Sequence, residues 1–484
     1  MRNLKINTIL NSIKTLSSIL FPLITFPYIS RVLLPENVGK VNFGSSYVSY
    51  FSLLATLGIT TYAVRECSKV RDNKKELSNI SSQIYSINIC TTIVSYILLI
   101  ITLCFFRNLD SYRTLIIIQS TVILFTTLGA DWLNTAMEDF LYITVRTIIF
   151  EVISLILMFI FVRSPGDYLK YAAITVFSSS GANIMNIFYR KKYCDTHFIT
   201  DINWQRHFKP IMFLFVMLLS QTIFNSADIT MIGFIKGNYE VGLYSTSVKI
   251  VNIINQVISS ILWVVLPRLS IYFEKKDYNN INSLLRNLFG LTLIVGLPCV
   301  AGVIAIAKEI ILIVGGIEYI NAVESLKILM FGLLFSLLGG NFIGNLILLP
   351  SKQEKYYMIV CCINAVFNII ANLFLIPLYG SNGAALSTAG SSILILILLV
   401  PKIDKSIHLG KINNLIFGPI IGSILIVLFC QIILNINYNL YLRTLICICG
   451  SIVIYLVVLI FTKNELVINT LSSMTKKIKN KFNF

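Results

Sequence analysis

The sequence predicts an all-α polytopic membrane protein of about fourteen transmembrane helices. Three observations lead there. Of 484 residues, 56% are hydrophobic and only 13% are charged, with a mean hydropathy of +0.80. That is about half the charge of a soluble domain, too little polar surface to cover a water-soluble globule. Apolar runs of roughly 20 residues, the length that crosses a bilayer, recur at 8–34, 38–63, 82–106, 113–136, 141–163, 168–190, 208–234, 241–266, 286–306, 323–349, 356–376, 381–400, 414–434 and 442–462. With the N-terminus inside, 27 of the 39 Lys and Arg fall in inner segments and 9 in outer ones. This bias places both termini in the cytoplasm and favours an even number of spans.

The first run follows Arg2, Lys5 and Lys14 and lacks a small-residue cleavage site, so it reads as a span and not as a removed signal peptide. Pro22 and Pro27 lie within it and Pro298 within the ninth span; each removes a backbone donor and kinks its helix. The fourth and fifth spans are separated only by Met137-Glu138-Asp139-Phe140. At an offset of 203 residues, Val38-Gly39 matches Val241-Gly242 and Arg65 matches Arg268. The offset covers six helices, so the sequence predicts two parallel six-helix lobes. The expected organisation is a first lobe at 1–207, a second at 208–411, two further helices at 412–462 and a basic tail at 463–484. The tail is suited to an anionic leaflet.

A formal charge of +17 would suggest nucleic acid in a soluble protein. Here it follows from basic inner loops, and nucleic-acid binding is not expected. The ten cysteines contain no CxxC pair and mostly sit in apolar runs, so no metal site is expected. HExxH, GxSxG, P-loop and paired-carboxylate patterns are absent. The expectation is a transporter with no cofactor, not an enzyme, driven by a gradient or the membrane potential.

Polar residues inside spans recur at helical spacing. Gln221, Asn225 and Asp228 stand at i, i+4, i+7; Lys249, Asn252 and Gln256 at i, i+3, i+7; Asn341 and Asn345 four apart; Asn364, Asn368 and Asn372 at i, i+4, i+8. Each set lines one helix face. One stripe alone reads as helix–helix glue; four together point to a solvated central cavity. Asp228 and Lys249 stand at similar depth and could pair. Arg146 and Glu151 share one helix, and Arg31 closes the first span, where snorkelling to the interface is the plain alternative.

Three stretches resemble the Wzx-type polysaccharide repeat-unit flippases of the MOP (MATE-like) superfamily. These are Phe26-Pro27-Tyr28-Ile29-Ser30-Arg31-Val32-Leu33-Leu34-Pro35-Glu36-Asn37-Val38-Gly39, Asp131-Trp132-Leu133 with Glu138 and Tyr142-Ile143, and Tyr379-Gly380-Ser381-Asn382-Gly383-Ala384-Ala385. Leu34 departs from the family pattern, which often has Gly there. The resemblance implies a V-shaped pair of six-helix lobes. It also implies export of an undecaprenyl-diphosphate-linked oligosaccharide across the bacterial plasma membrane, for O-antigen, capsule or a related surface polysaccharide. Partners would be the lipid-linked glycan, the bilayer, and polysaccharide polymerase and chain-length proteins. Arg31 and Lys249 are the candidates for holding the diphosphate. Asn225, Asn252, Asn345, Asn364 and Asn368 are candidates for sugar hydroxyls. Asp228, Glu151 and Arg146 are candidates for coupling or charge tuning, with proton or sodium coupling open at Asp228. The competing readings are a MATE-like cation-coupled exporter and, less favoured, a membrane-embedded polymerase.

Overall fold

A computed structural model of the chain describes residues 4–410, 413–462 and 464–468. The expected tail therefore lies outside the described residues except at 464–468, as do residues 411–412. Every regular element among the described residues is helical.

The first helix, α1, spans Leu4–Thr56. At 1.5 Å per residue its 53 residues would reach about 80 Å, more than twice the hydrocarbon thickness. It is broken at Leu34, whose φ of 63° and ψ of 167° are not helical. The cause is local: Pro35 disfavours the α conformation in the residue before it and is itself suited to start the second half. Leu34 thus occupies a region of backbone space that is essentially glycine's.

The chain continues through α2 (Ile59–Lys69), α3 (Lys74–Phe105), α4 (Arg113–Gly129), the short α5 (Trp132–Ala136), α6 (Phe140–Phe161), α7 (Tyr168–Tyr189) and α8 (Trp204–Ile235). Then come α9 (Asn238–Trp263), α10 (Leu266–Glu274), α11 (Tyr278–Ala305), α12 (Ala307–Val314) and α13 (Ala322–Ser336), the last running into a π-helical segment, Leu337–Leu348. The chain closes with α14 (Glu354–Tyr379), α15 (Ser381–Leu399), α16 (Asn413–Leu434) and α17 (Leu440–Phe461). Eleven helical stretches are long and apolar enough to cross a bilayer. The first of them, Leu16–Lys69, contains the Leu34 break. The 22-residue α7 and 26-residue α9 are not among the eleven; their Ser, Thr, Asn and Lys content lowers their hydropathy.

Several boundaries differ from the apolar runs for identifiable reasons. α3 starts at Lys74, well before the expected 82, because the Asn73 side chain accepts from the Glu76 amide and caps it. The run at 113–136 is two helices, since Ala130 takes a positive φ of 45°. The π segment was not expected. Such segments are rare and mark sites of strain or function, and this one carries Gly339, Gly340, Asn341, Gly344 and Asn345.

Contacts divide the chain into Met1–Gly242 and Leu243–Phe484. In the first unit α1 packs against α3, α4, α6, α7 and α8. In the second, α11 packs on α13 and α16, α14 on α15, and α16 on α17. Exposed faces are apolar: on α3 they present Ile93, Val94, Ile97, Ile100 and Ile101. Its polar residues turn inward, where Asn88 donates to Ala55 O at 2.9 Å and Ser95 to Phe51 O at 2.6 Å.

The 203-residue offset recurs in one backbone contact inside the first unit. A Cβ at Gly39 would lie 1.8 Å from Asn238 O, and one at Gly242 would lie 2.1 Å from Pro35 O. Pro35 and Asn238 stand 203 residues apart, as do Gly39 and Gly242. Two backbones therefore cross in direct contact, each glycine seated on the residue equivalent to the other's seat. No larger residue fits at either position without moving main chain.

Leu34→Gly is expected to raise the melting temperature in detergent, because relief of roughly 1–3 kcal/mol of backbone strain exceeds glycine's extra unfolded-state entropy. Leu34→Ala, which keeps the forbidden geometry, is expected not to. Equal melting of the two variants would show that Leu34 is unstrained.

Candidate functional site

The first unit holds a cavity of about 630 Å³ between α1, α4, α7 and α8. Its α1 wall is a ladder of hydroxyls, Ser45, Ser49, Ser52 and Thr56. These stand at i, i+4, i+7 and i+11, the repeat that keeps side chains on one face. Gln119 comes from α4, Thr175 and Ser179 from α7, and Thr222, Asn225 and Ser226 from α8. Val48, Leu53, Val122, Val176 and Leu218 complete the lining. None of the fifteen lining residues is ionisable.

Part of this polar set holds the wall together. Ser46 Oγ donates to Ser226 O at 2.7 Å, and Ser49 Oγ lies 3.0 Å from Ser226 Oγ, which ties α1 to α8. Thr175, Ser179 and Thr56 return their hydroxyl protons to backbone carbonyls of their own helices. Gln119 Nε2 donates to Val41 O at 2.9 Å, which fixes the carboxamide's orientation. Ser45, Ser52, Thr222 and Asn225 make no side-chain hydrogen bond among the described residues. Their donors and acceptors are offered to whatever occupies the cavity.

A second polar centre joins α5, α6 and α7. Arg146 Nη2 lies 2.8 Å from Asp131 Oδ1, and Asn134 and Asn186 each donate to the same oxygen at 3.0 Å. Arg146 Nη1 also reaches Ala182 O at 3.3 Å. Its guanidinium sits over the Tyr142 ring, which stacks on Tyr189 with centroids 3.5 Å apart. Beyond the helix ends, Asp139 accepts from the Tyr189 and Tyr193 hydroxyls at 2.8 and 2.7 Å, with Lys192 at 3.7 Å. Arg71 pairs with Glu138 at 2.7 Å. Burial acts to raise the Asp139 pKa, but hydrogen bonds from Tyr193, Tyr189 and the Tyr142 amide, with the Lys192 charge, outweigh it and hold the carboxyl below its ordinary value. The charges of this centre are matched, so it is a tie between helices and not a cradle for an anion.

The candidate residues fall in different settings. Asn225 lines the cavity, and Asp228 lies buried one turn further along α8. Arg31 is exposed on α1, three residues before the break. Arg146 is committed to Asp131, and buried Glu151 accepts from the Ser17 hydroxyl, so the two share a helix without meeting. In the second unit Lys249 is half-buried and Asn252 exposed on α9. Asn345 is half-buried on the π segment, where Asn341 donates to Asn255 Oδ1 and Ser259 Oγ at 3.0 and 2.9 Å. Asn364 and Asn368 are buried in α14. Asn372 donates to Asn368 Oδ1 at 3.1 Å and accepts from Ser387 of α15. The α1 hydroxyl ladder was missed in the sequence reading. Its heptad-like spacing was legible, but hydroxyls in apolar helices usually satisfy themselves on the i−4 carbonyl, so they carry a weaker signal than Asn or charge.

Residues 4–273 match the polysaccharide biosynthesis protein family, Polysacc_synt. This chain belongs to that family. Among its relatives, a candidate O-antigen transporter from Escherichia coli (strain K12) is 23% identical over 411 residues, covering 82% of this chain and 96% of that protein. The capsular polysaccharide biosynthesis protein CapF of Staphylococcus aureus is 26% identical, over 76% of this chain and 91% of its own length. The lipid II flippase MurJ in an inward closed conformation superposes with a TM-score of 0.74 at 17% identity, covering 96% of this chain and 99% of that one. An inward-facing MATE multidrug transporter of the MOP superfamily gives 0.56 at 13%, covering 80% and 92%. The family member described here thus shares the MurJ and MATE fold.

Asp131→Asn leaves the Arg146 charge buried without its counter-ion and is expected to cost about 3 kcal/mol. Asp131→Asn combined with Arg146→Met is expected to recover part of that loss, read by thermal unfolding of single and double variants in detergent. Because the Asp139 pKa is depressed on folding, its contribution is complete above the ordinary carboxylate range near pH 4 and lost as pH falls through the lower folded value. Melting temperature should therefore fall less steeply below about pH 4 in Asp139→Asn than in the parent.

Proposed function

We propose that this protein is a flippase for a lipid-linked oligosaccharide, moving a polyprenyl-diphosphate glycan from the inner to the outer leaflet of a bacterial plasma membrane by alternating access. The observation that carries the reading is the cavity of about 630 Å³ with ten hydrogen-bonding side chains among fifteen, inside a helical unit whose outer faces are apolar. Hydrocarbon gives such groups no partner; a glycan headgroup gives them many, while its lipid tail stays in the bilayer. Membership of the polysaccharide biosynthesis family and the names of the relatives support the same substrate class.

In this reading the chain crosses the membrane about fourteen times, α1 twice, with both ends cytoplasmic. That arrangement is supported by the Lys and Arg bias. Arg31 and Lys249 attract the diphosphate, Asp228 sets the charge balance near them, and the cavity hydroxyls with Asn225 and Asn252 bind sugar. With an inside-negative potential, outward movement of one negative charge gains about 2.3 kcal/mol per 100 mV, so the potential alone can drive the step. Proton or sodium coupling at Asp228 is the alternative source. No covalent chemistry is required of the chain, which acts as a transporter; polymerase and chain-length proteins would take over its product.

The test uses purified protein in liposomes carrying a polyprenyl-diphosphate oligosaccharide in the inner leaflet, with an impermeant glycosidase outside. Protein-dependent cleavage is expected, faster under an imposed potential favouring anion exit. Arg31→Ala with Lys249→Ala is expected to slow it by about tenfold or more. Absence of cleavage together with export of a cationic dye would instead establish a MATE-like exporter.

A further inference from the structure

The cavity of the first unit carries a statement about its cargo that the flippase reading leaves open. Its wall is uncharged throughout and mostly polar. Three basic groups of the same unit have partners outside that wall. Arg146 is bound by Asp131, Arg190 donates to Leu128 O and lies over the Tyr85 ring, and Lys40 lies over the Tyr168 ring. Asp228, the acidic residue one turn beyond Asn225, is buried. Ser45 and Asn225 are exposed here and Ser52 and Thr222 half-buried; when the alternating-access cycle closes the cavity, a carboxylate against them would lose water and receive only neutral donors. For an ion that exchange is unfavourable, because a buried charge needs a counter-charge.

A neutral sugar makes the opposite exchange. Each ring hydroxyl both donates and accepts, as do Ser and Thr hydroxyls and the Asn carboxamide, so hydrogen bonds to water are replaced in kind. Val48, Leu53, Val122, Val176 and Leu218 lie among the polar groups. They suit the C–H faces of a pyranose ring, or a deoxy or acetamido methyl group, better than a hydrated anion.

We infer that the first unit's cavity is a glycan-selecting site for uncharged sugars, neutral or acetamido hexoses, and discriminates against repeat units whose sugars carry carboxylates. The inference rests on the flippase reading. It assigns discrimination to α1, α7 and α8 through Ser45, Ser52, Thr222, Asn225 and Ser179. Ser52 stands mid-ladder on the α1 wall and has an uncommitted hydroxyl.

The experiment places full-length protein in liposomes with two lipid probes in parallel. One is a polyprenyl-diphosphate carrying a neutral trisaccharide; the other has one hexose oxidised to its uronic acid, so that tail and diphosphate are common to both. The neutral probe is expected to cross about tenfold faster or more, the scale of an uncompensated buried charge. In Ser52→Arg, which supplies the missing counter-charge, the ratio is expected to move toward the acidic probe. Equal rates, or faster movement of the acidic probe by the unaltered protein, would overturn the neutral-sugar assignment and leave the flippase reading standing. Failure of both probes to cross would overturn the flippase reading itself, and the assignment with it. If Ser52→Arg does not fold, the parent protein's ratio alone decides. If it folds and its ratio equals the parent's, Ser52 is not part of the selecting wall.

Discussion

Hydrocarbon supplies no hydrogen-bond partner, and most of what this chain does structurally follows from that constraint. All regular structure among the described residues is helical, because a helix satisfies its own backbone. Many side-chain hydroxyls and amides turn inward to partners. Asn88 and Ser95 bind carbonyls of α1, Thr92 meets Thr127 at 2.7 Å, and Asn341 joins α9 through Asn255 and Ser259. Against that background an uncommitted hydroxyl is informative. Ser45 and Ser52 on α1 and Thr222 on α8 are left unspent in the one unit, and all three face a single cavity.

The position of that cavity depends on two backbone events in α1. The break at Leu34–Pro35 ends the first half of the helix and gives the second half its own direction. The Gly39 crossing then brings the second half into contact with the start of α9, closer than any side chain permits. The hydroxyl ladder begins six residues later at Ser45. Its heights and direction are therefore set by a proline and a glycine that never touch the cavity.

Much of the fold was legible because membrane spans are written in long apolar runs and loop charge. The matched Val38-Gly39 and Val241-Gly242 are visible in the sequence, and both glycines are required by one backbone crossing. Leu34 was legible only as a departure from the family pattern. Its positive φ explains why that pattern favours glycine and shows that leucine is accommodated under strain. Charge and Asn drew attention to α8, α9, the π segment and α14, and of these Asn225 of α8 lines the cavity; Arg146 stood out because an arginine in a span is rare. Its partner Asp131 lies fifteen residues away across a turn, and the pairing required the fold. The π segment around Asn341 left only a Gly-Gly pair as its mark, and such a pair has many other uses.

A transporter must release what it binds, and this favours a neutral wall over a charged one for the sugar part of the cargo. A neutral hydrogen bond formed in exchange for water contributes about 0.5–1.5 kcal/mol. Several of them orient a headgroup, yet each is readily returned to water when the cavity opens. A buried ion pair is a different contact: once desolvated, breaking it leaves an uncompensated charge, at several kcal/mol. In the proposed reading, charge recognition by Arg31 and Lys249 and hydroxyl recognition by an uncharged cavity would divide the work by chemistry. In that reading the diphosphate is common to all polyprenyl-diphosphate glycans and responds to the membrane potential; the sugars differ, and selection among them falls to the shape and neutrality of the α1, α7 and α8 wall.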